Sequence, residues 1–95
     1  MISFHPLVRR DVSQAIDYYD SIGDSLGNEF WAEFTKLCES VESHPERFHK
    51  DVSGWRRANL KRFPYHLLFL PARPGIRIMI LRHNRRHPKS GLRRK

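Results

Sequence analysis

Apolar side chains recur at helical spacing in the first half of the chain and in strand-like runs in the second. Val8, Val12, Ala15, Ile16 and Tyr19 lie on one face of a 3.6-residue period, and Asp11, Asp17 and Asp20 fall off it. The spacing predicts a helix whose first turn holds Pro6, where the missing N–H costs nothing, and whose C-cap is Gly23. A second stripe, Phe30, Phe34, Leu37, Cys38 and Val41, predicts a helix with Asp24 or Ser25 as N-cap and an end before Pro45. The short link between them implies an antiparallel helical hairpin. Neither helix has enough apolar surface to stand alone, so both should lie on a sheet.

Met1 to Phe4 reads as a first strand, and residues 44–54 as a loop with Phe48 turned inward. Three strands follow: Trp55 to Leu60, Tyr65 to Leu70, and Ile76 to Leu81, separated by turns at Lys61–Pro64 and Pro71–Gly75. Short connections make these strands antiparallel. Simple alternation puts Ile76, Ile78 and Ile80 on one face of the last strand and Arg77, Met79 and Leu81 on the other. The expected fold is α+β, in the order β-α-α-β-β-β. A helical hairpin would cover one face of a small antiparallel sheet and leave the other face free. A chain of 95 residues suits one domain, read here as residues 1–88, with 89–95 a basic C-terminal tail that can be flexible.

Charge sharpens this picture. Residues 1–50 carry five basic and nine acidic side chains, a net −4, whereas residues 51–95 carry thirteen basic and one acidic, a net +12. The sheet half should therefore present a positive face able to attract a polyanion or an acidic protein. Arg56, Arg57, Lys61 and Arg62 form one basic group, and Arg82, Arg85 and Arg86 a second. Such runs either blunt an exposed strand edge or capture phosphate and carboxylate. If their strands are neighbours, the two groups converge.

Other chemistry is sparse. The lone Cys38 on an apolar helix face excludes a disulfide framework and reads as a small buried hydrophobe. His83 and His87 lack further ligands for a metal, and no cofactor motif is present. Asp51 is the single acid of the sheet half, which excludes paired-carboxylate chemistry there. His66, amid apolar neighbours, is either a satisfied core histidine or an acid–base group on the free face. No apolar run approaches membrane-spanning length, and the N-terminus lacks signal-peptide character, so no membrane partner and a cytoplasmic location are expected.

Several segments together carry a family resemblance. They are Ala15-Ile16-Asp17-Tyr18-Tyr19, Leu26-Gly27-Asn28-Glu29-Phe30, His44-Pro45 with Phe48, Arg56-Arg57 with Leu60-Lys61-Arg62-Phe63-Pro64-Tyr65, and Arg82-His83-Asn84-Arg85-Arg86-His87-Pro88. In this order the chain resembles the RelE/ParE superfamily of toxins from type II toxin–antitoxin systems, on the ParE-like, plasmid-stabilisation side. The resemblance implies a growth inhibitor neutralised by a cognate antitoxin through an acidic or amphipathic segment. ParE-like members are associated with inhibition of DNA gyrase, and RelE-like members cleave mRNA on the ribosome.

The two activities imply different residues. A gyrase-directed toxin would bind its target through Arg82, Arg85, Arg86 and the exposed tail, within a target- or phosphate-binding set that also holds Arg56, Arg57 and Arg62, and would not be an enzyme. A RelE-type endoribonuclease would place Arg57 and Arg86 on phosphate, with His66 or His87 as acid–base groups. Arg57 falls where RelE has a strand lysine, Asn59 where it has a second, and His66 where it has an arginine; Arg86 matches the arginine after the last strand. The terminal tyrosine of RelE has no counterpart, since the nearby position is Leu92.

Overall fold

The computed structural model describes all of residues 1–95. Its elements are β1 (Ile2–Phe4), α1 (Val8–Ile22), α2 (Leu26–Ser43), a 3-10 turn (Pro45–Arg47), β2 (Arg56–Asn59), β3 (Tyr65–Ala72) and β4 (Gly75–His83). The strands lie side by side in the order β1-β4-β3-β2. The element order and the α+β class are those the sequence implies.

α1 buries Val8, Val12 and Ala15, and α2 buries Phe30, Phe34, Cys38 and Val41, so each predicted stripe is the face that packs. Pro6 sits in the turn before α1 rather than in its first turn. Ser25 occupies the N-cap of α2 at φ 66° without a side-chain hydrogen bond. Asp20 of α1 instead accepts the Gly27 N–H at 3.0 Å, so the first helix caps the second.

β2–β3 and β3–β4 are antiparallel, as the short turns require. β1 joins β4 in parallel, with Ile2 opposite Ile76 and Phe4 opposite Ile78, so the sheet is mixed. The helical hairpin is the crossover that permits a parallel pair. On the helix side, Ala58, Leu67, Phe69, Ile76, Ile78 and Leu81 meet the helices' apolar stripes in one core. Tyr19, Phe30, Phe63 and Tyr65 form an aromatic group within it, Tyr19 stacked on Phe30 and the other contacts edge to face, with Phe30 and Tyr65 centroids 5.2 Å apart. Glu33 of α2 accepts the backbone N–H groups of Lys61 and Arg62 and so holds the Arg-Phe-Pro-Tyr turn against the hairpin.

Two expectations need correction. Leu68 pairs with Ile80 and Phe69 with Ile78, leaving Met79 as an extra residue in β4. This bulge shifts the alternation by one, so Leu81 joins Ile76 and Ile78 in the core and Ile80 turns to the opposite face. That opposite face is not free. Leu68, Met79 and Ile80 are each at most 4 % exposed. The C-terminal segment lies against Met79 and Ile80: Arg94 reaches the Met79 carbonyl, and Gly91, at φ 81°, comes so close that a Cβ would stand 2.2 Å from Ile80 Cδ1.

Arg94 secures this segment. Its guanidinium meets the Asp11 carboxylate at 2.6 and 2.9 Å and donates to the Met79 carbonyl at 3.0 Å. Asp11 also accepts the Leu81 N–H, an edge group of β4 beyond the reach of β1.

Candidate functional site

The β2, β3 and β4 residues that face away from the helices build a hydrogen-bonded row. Arg57 lies opposite Leu68, Asn59 opposite His66, and His66 opposite Arg82. Arg57 donates to Asn59 Oδ1 at 2.9 Å and to Asn84 Oδ1 at 3.5 Å. His66 Nδ1 lies 2.8 Å from the same Asn84 oxygen, and Arg82 Nε lies 2.9 Å from His66 Nε2. The guanidinium Nε–H can only donate, so His66 Nε2 accepts and Nδ1 carries the proton. The ring is neutral and both nitrogens are occupied.

Burial holds His66 below its ordinary pKa; the Asn84 hydrogen bond opposes the shift, and the positive charges of Arg57 and Arg82 reinforce it. With 1 % exposure, His66 has the geometry of a core histidine.

Arg82 is likewise interior. It is 6 % exposed, donates to the Pro88 and Ser90 carbonyls at 2.9 and 2.8 Å, and has Asp51 Oδ2 3.9 Å away. Burial lowers its pKa, with Asp51 opposing. Burial pushes the Asp51 carboxyl up, but hydrogen bonds from Ser53 and the charges of Arg82 and Arg57 outweigh this and hold it below the usual range. Arg82 thus joins three parts of the chain: the sheet, the loop before β2, and the tail.

The remaining candidates divide by environment. Arg56 points to the helix side and donates to the Phe48 carbonyl at 2.5 Å. Arg62 pairs with Glu29 of α2 at 3.0 Å and lies over the Phe63 ring. These two do not join the Arg57 row. β3 separates β2 from β4, so the two basic groups meet only through Arg57, Asn84 and Arg82. Arg85, Arg86 and His87 follow β4 on an exposed turn, where neither arginine side chain has a protein partner. His87 is exposed, and its Nδ1 accepts the Lys89 N–H, which leaves Nε2 without a protein partner. Cys38 is buried, and burial pushes its thiol up to about 12, which suits an inert core residue.

The family described as "ParE toxin of type II toxin-antitoxin system, parDE" matches residues 2–88, from the first residue of β1 to Pro88, the carbonyl held by Arg82. The chain belongs to this family. No individual curated protein matches it at a significant level. A ParE toxin of a type II system implies an antitoxin partner. No helix here is long and apolar enough to cross a membrane.

Asn84, Asp51, Asp11 and Arg94 hold the row and the tail in place in this ParE chain, and none is among the candidate site residues that the sequence suggests. Asp51, as the single acid among thirteen cations, carried a usable signal. Asp11 lies off the apolar stripe of α1 and pairs with a residue 83 positions away, for which local pattern gives no sign.

Proposed function

We propose that this ParE toxin stops growth by binding a protein target, DNA gyrase, and that Arg85 and Arg86 make the decisive contacts. Arg57 lies at the margin of that surface, with one face of its guanidinium in the Asn59–Asn84 row. Arg56, Arg62 and Arg82 support the fold from which the turn projects. The observation that carries the reading is the occupancy of His66. Both ring nitrogens are engaged, and its accepting nitrogen faces a permanent cation. General base catalysis needs a free, basic lone pair within reach of the substrate hydroxyl. The exposed turn, in contrast, offers two guanidinium forks with nothing to satisfy them.

The antitoxin reading rests on family and surface together. Phe4, Val8, Ile16, Trp31 and Phe34 line an apolar groove of about 540 Å³ between β1 and the two helices. Phe4 is 46 % and Trp31 50 % exposed, aromatic anchors suited to the apolar side of an amphipathic segment. Arg9 on the groove's rim suits acidic residues on that segment's other side.

The test is a gyrase supercoiling assay with purified chain. Wild type is expected to inhibit, the Arg85→Ala/Arg86→Ala pair to lose at least tenfold in potency without a change in melting temperature, and His66→Gln/His87→Ala to keep inhibition. The endoribonuclease alternative has one observation in its favour, the unpartnered Nε2 of the exposed His87, next in sequence to Arg86. It would be favoured instead if gyrase were unaffected while ribosome-bound mRNA was cut by wild type and not by the histidine variant.

A further inference from the structure

The tail does more than cover the sheet. Because Arg94 is anchored to Asp11, the C-terminal segment is drawn alongside the first turns of α1. A cleft of about 740 Å³ opens between them, with the end of β4 as its floor. Arg10 from α1 and Arg86, Lys89, Arg93 and Lys95 from the far end of the chain line it. None of these five side chains forms an ion pair or a hydrogen bond within the protein. The one acid in the lining, Asp11, is spent: Arg94 takes both its oxygens, and Leu81 N–H shares one. Tyr65 and Gln14 add neutral donors to the same walls. Burial raises the Tyr65 pKa, so its hydroxyl keeps its proton.

We propose that this cleft binds the phosphodiester backbone of nucleic acid, without sequence preference. Five unpaired cations and two neutral donors are the chemistry that neutralises and hydrogen-bonds phosphate oxygens. An acidic protein segment is the other polyanion to consider, and the lining disfavours it. Its apolar members Ala15, Ile80 and Leu81 are 2–4 % exposed and already packed in the molecule. A stable protein interface needs an apolar or aromatic anchor in a pocket; here Leu7 lies at the rim, and the Tyr65 ring already packs against Tyr19, Phe30 and His83. The cleft meets the apolar groove assigned to the antitoxin only at His5 and shares Arg86 with the surface assigned to the target, but the inference does not depend on which cellular target the toxin has.

Fluorescence anisotropy on the full chain tests this, with a labelled 20-base-pair DNA duplex of arbitrary sequence and a single-stranded RNA of the same length. If all five cations contact phosphate, log affinity for duplex falls with log salt at a slope of about −4.5, or roughly 500-fold between 50 and 200 mM. Single strands give a shallower slope, near −3.5. Arg10→Ala/Lys89→Ala/Arg93→Ala removes three exposed cations that hold nothing in place, so folding persists, checked by an unchanged melting curve. Its duplex slope should fall to about −1.8, and two unrelated duplexes should bind wild type equally. Arg73→Ala/Arg77→Ala, away from the cleft, should keep the wild-type slope. The proposal is overturned by absence of binding at 50 mM salt, by a triple variant with the wild-type slope, by a slope lost in the Arg73/Arg77 variant, or by a 20-residue polyglutamate peptide that binds more tightly than duplex at equal salt.

Discussion

Arg94→Ala should destabilise a residue range far from position 94. Both side chains of the Arg94–Asp11 pair are less than a tenth exposed, and the geometry is bidentate. Breaking a buried pair on one side costs roughly 3–5 kcal/mol where the surviving charge stays buried. Here the tail can peel away and admit water to Asp11, so the expected loss is smaller, about 2 kcal/mol. For a domain of this length that is a fall in melting temperature of roughly 8–16 °C. Asp11→Ala should cost at least as much, because the Leu81 N–H then loses its partner as well. The double variant should cost little more than either single, giving a coupling energy of about 2 kcal/mol in a double-mutant cycle. Urea unfolding of the four proteins gives the numbers. Additive single effects, each below about 0.5 kcal/mol, would place the pair with ordinary surface ion pairs and refute the latch.

Other outcomes follow from the same contacts. His66 has a folded pKa below its unfolded value near 6.5, so the unfolded chain binds the extra proton in that interval. Its contribution to stability is full above pH 6.5 and is lost as pH falls toward the folded pKa, at up to about 1.4 kcal/mol per pH unit; denaturation at pH 7.5, 6.0 and 5.0 should show this slope reduced in His66→Gln. Gly75→Ala would put a Cβ 1.7 Å from the Met1 carbonyl oxygen, so β1 must shift off β4 at a cost of about 1–3 kcal/mol, measurable as lost amide protection at Ile76. Arg82→Ala should lower the melting temperature sharply, whereas Arg85→Ala and Arg86→Ala should leave it within a degree or two, which separates the structural arginine from the exposed ones in a single thermal-shift series.

The helices were legible because a stripe such as Phe30, Phe34, Leu37, Cys38 and Val41 repeats with the helical period whatever it packs against. The parallel seat of β1 was not, because three residues carry no mark of a partner more than seventy positions away. The bulge at Met79 was hidden for a different reason. Met79, Ile80 and Leu81 are all apolar, so a one-residue shift leaves the binary pattern unchanged. Among the candidate site residues, sequence placed Arg82 with Arg85 and Arg86 because charge alone cannot tell a solvated arginine from one bonded to two carbonyls and a histidine ring. The tail was visible as charge density. That it returns to α1 depends on one carboxylate, Asp11, which the helical period merely marked as off the core face.

The central claim is that a ParE toxin of this construction acts by binding gyrase through its exposed arginines. Pulse labelling of DNA and protein synthesis in the first minutes after induction in a bacterial host tests it most directly. The account predicts that DNA synthesis falls first, with induction of the damage response and messages intact, and that Arg85→Ala/Arg86→Ala abolishes the effect. A block in translation that precedes any fall in DNA synthesis, with cleaved messages and dependence on His87, would contradict it.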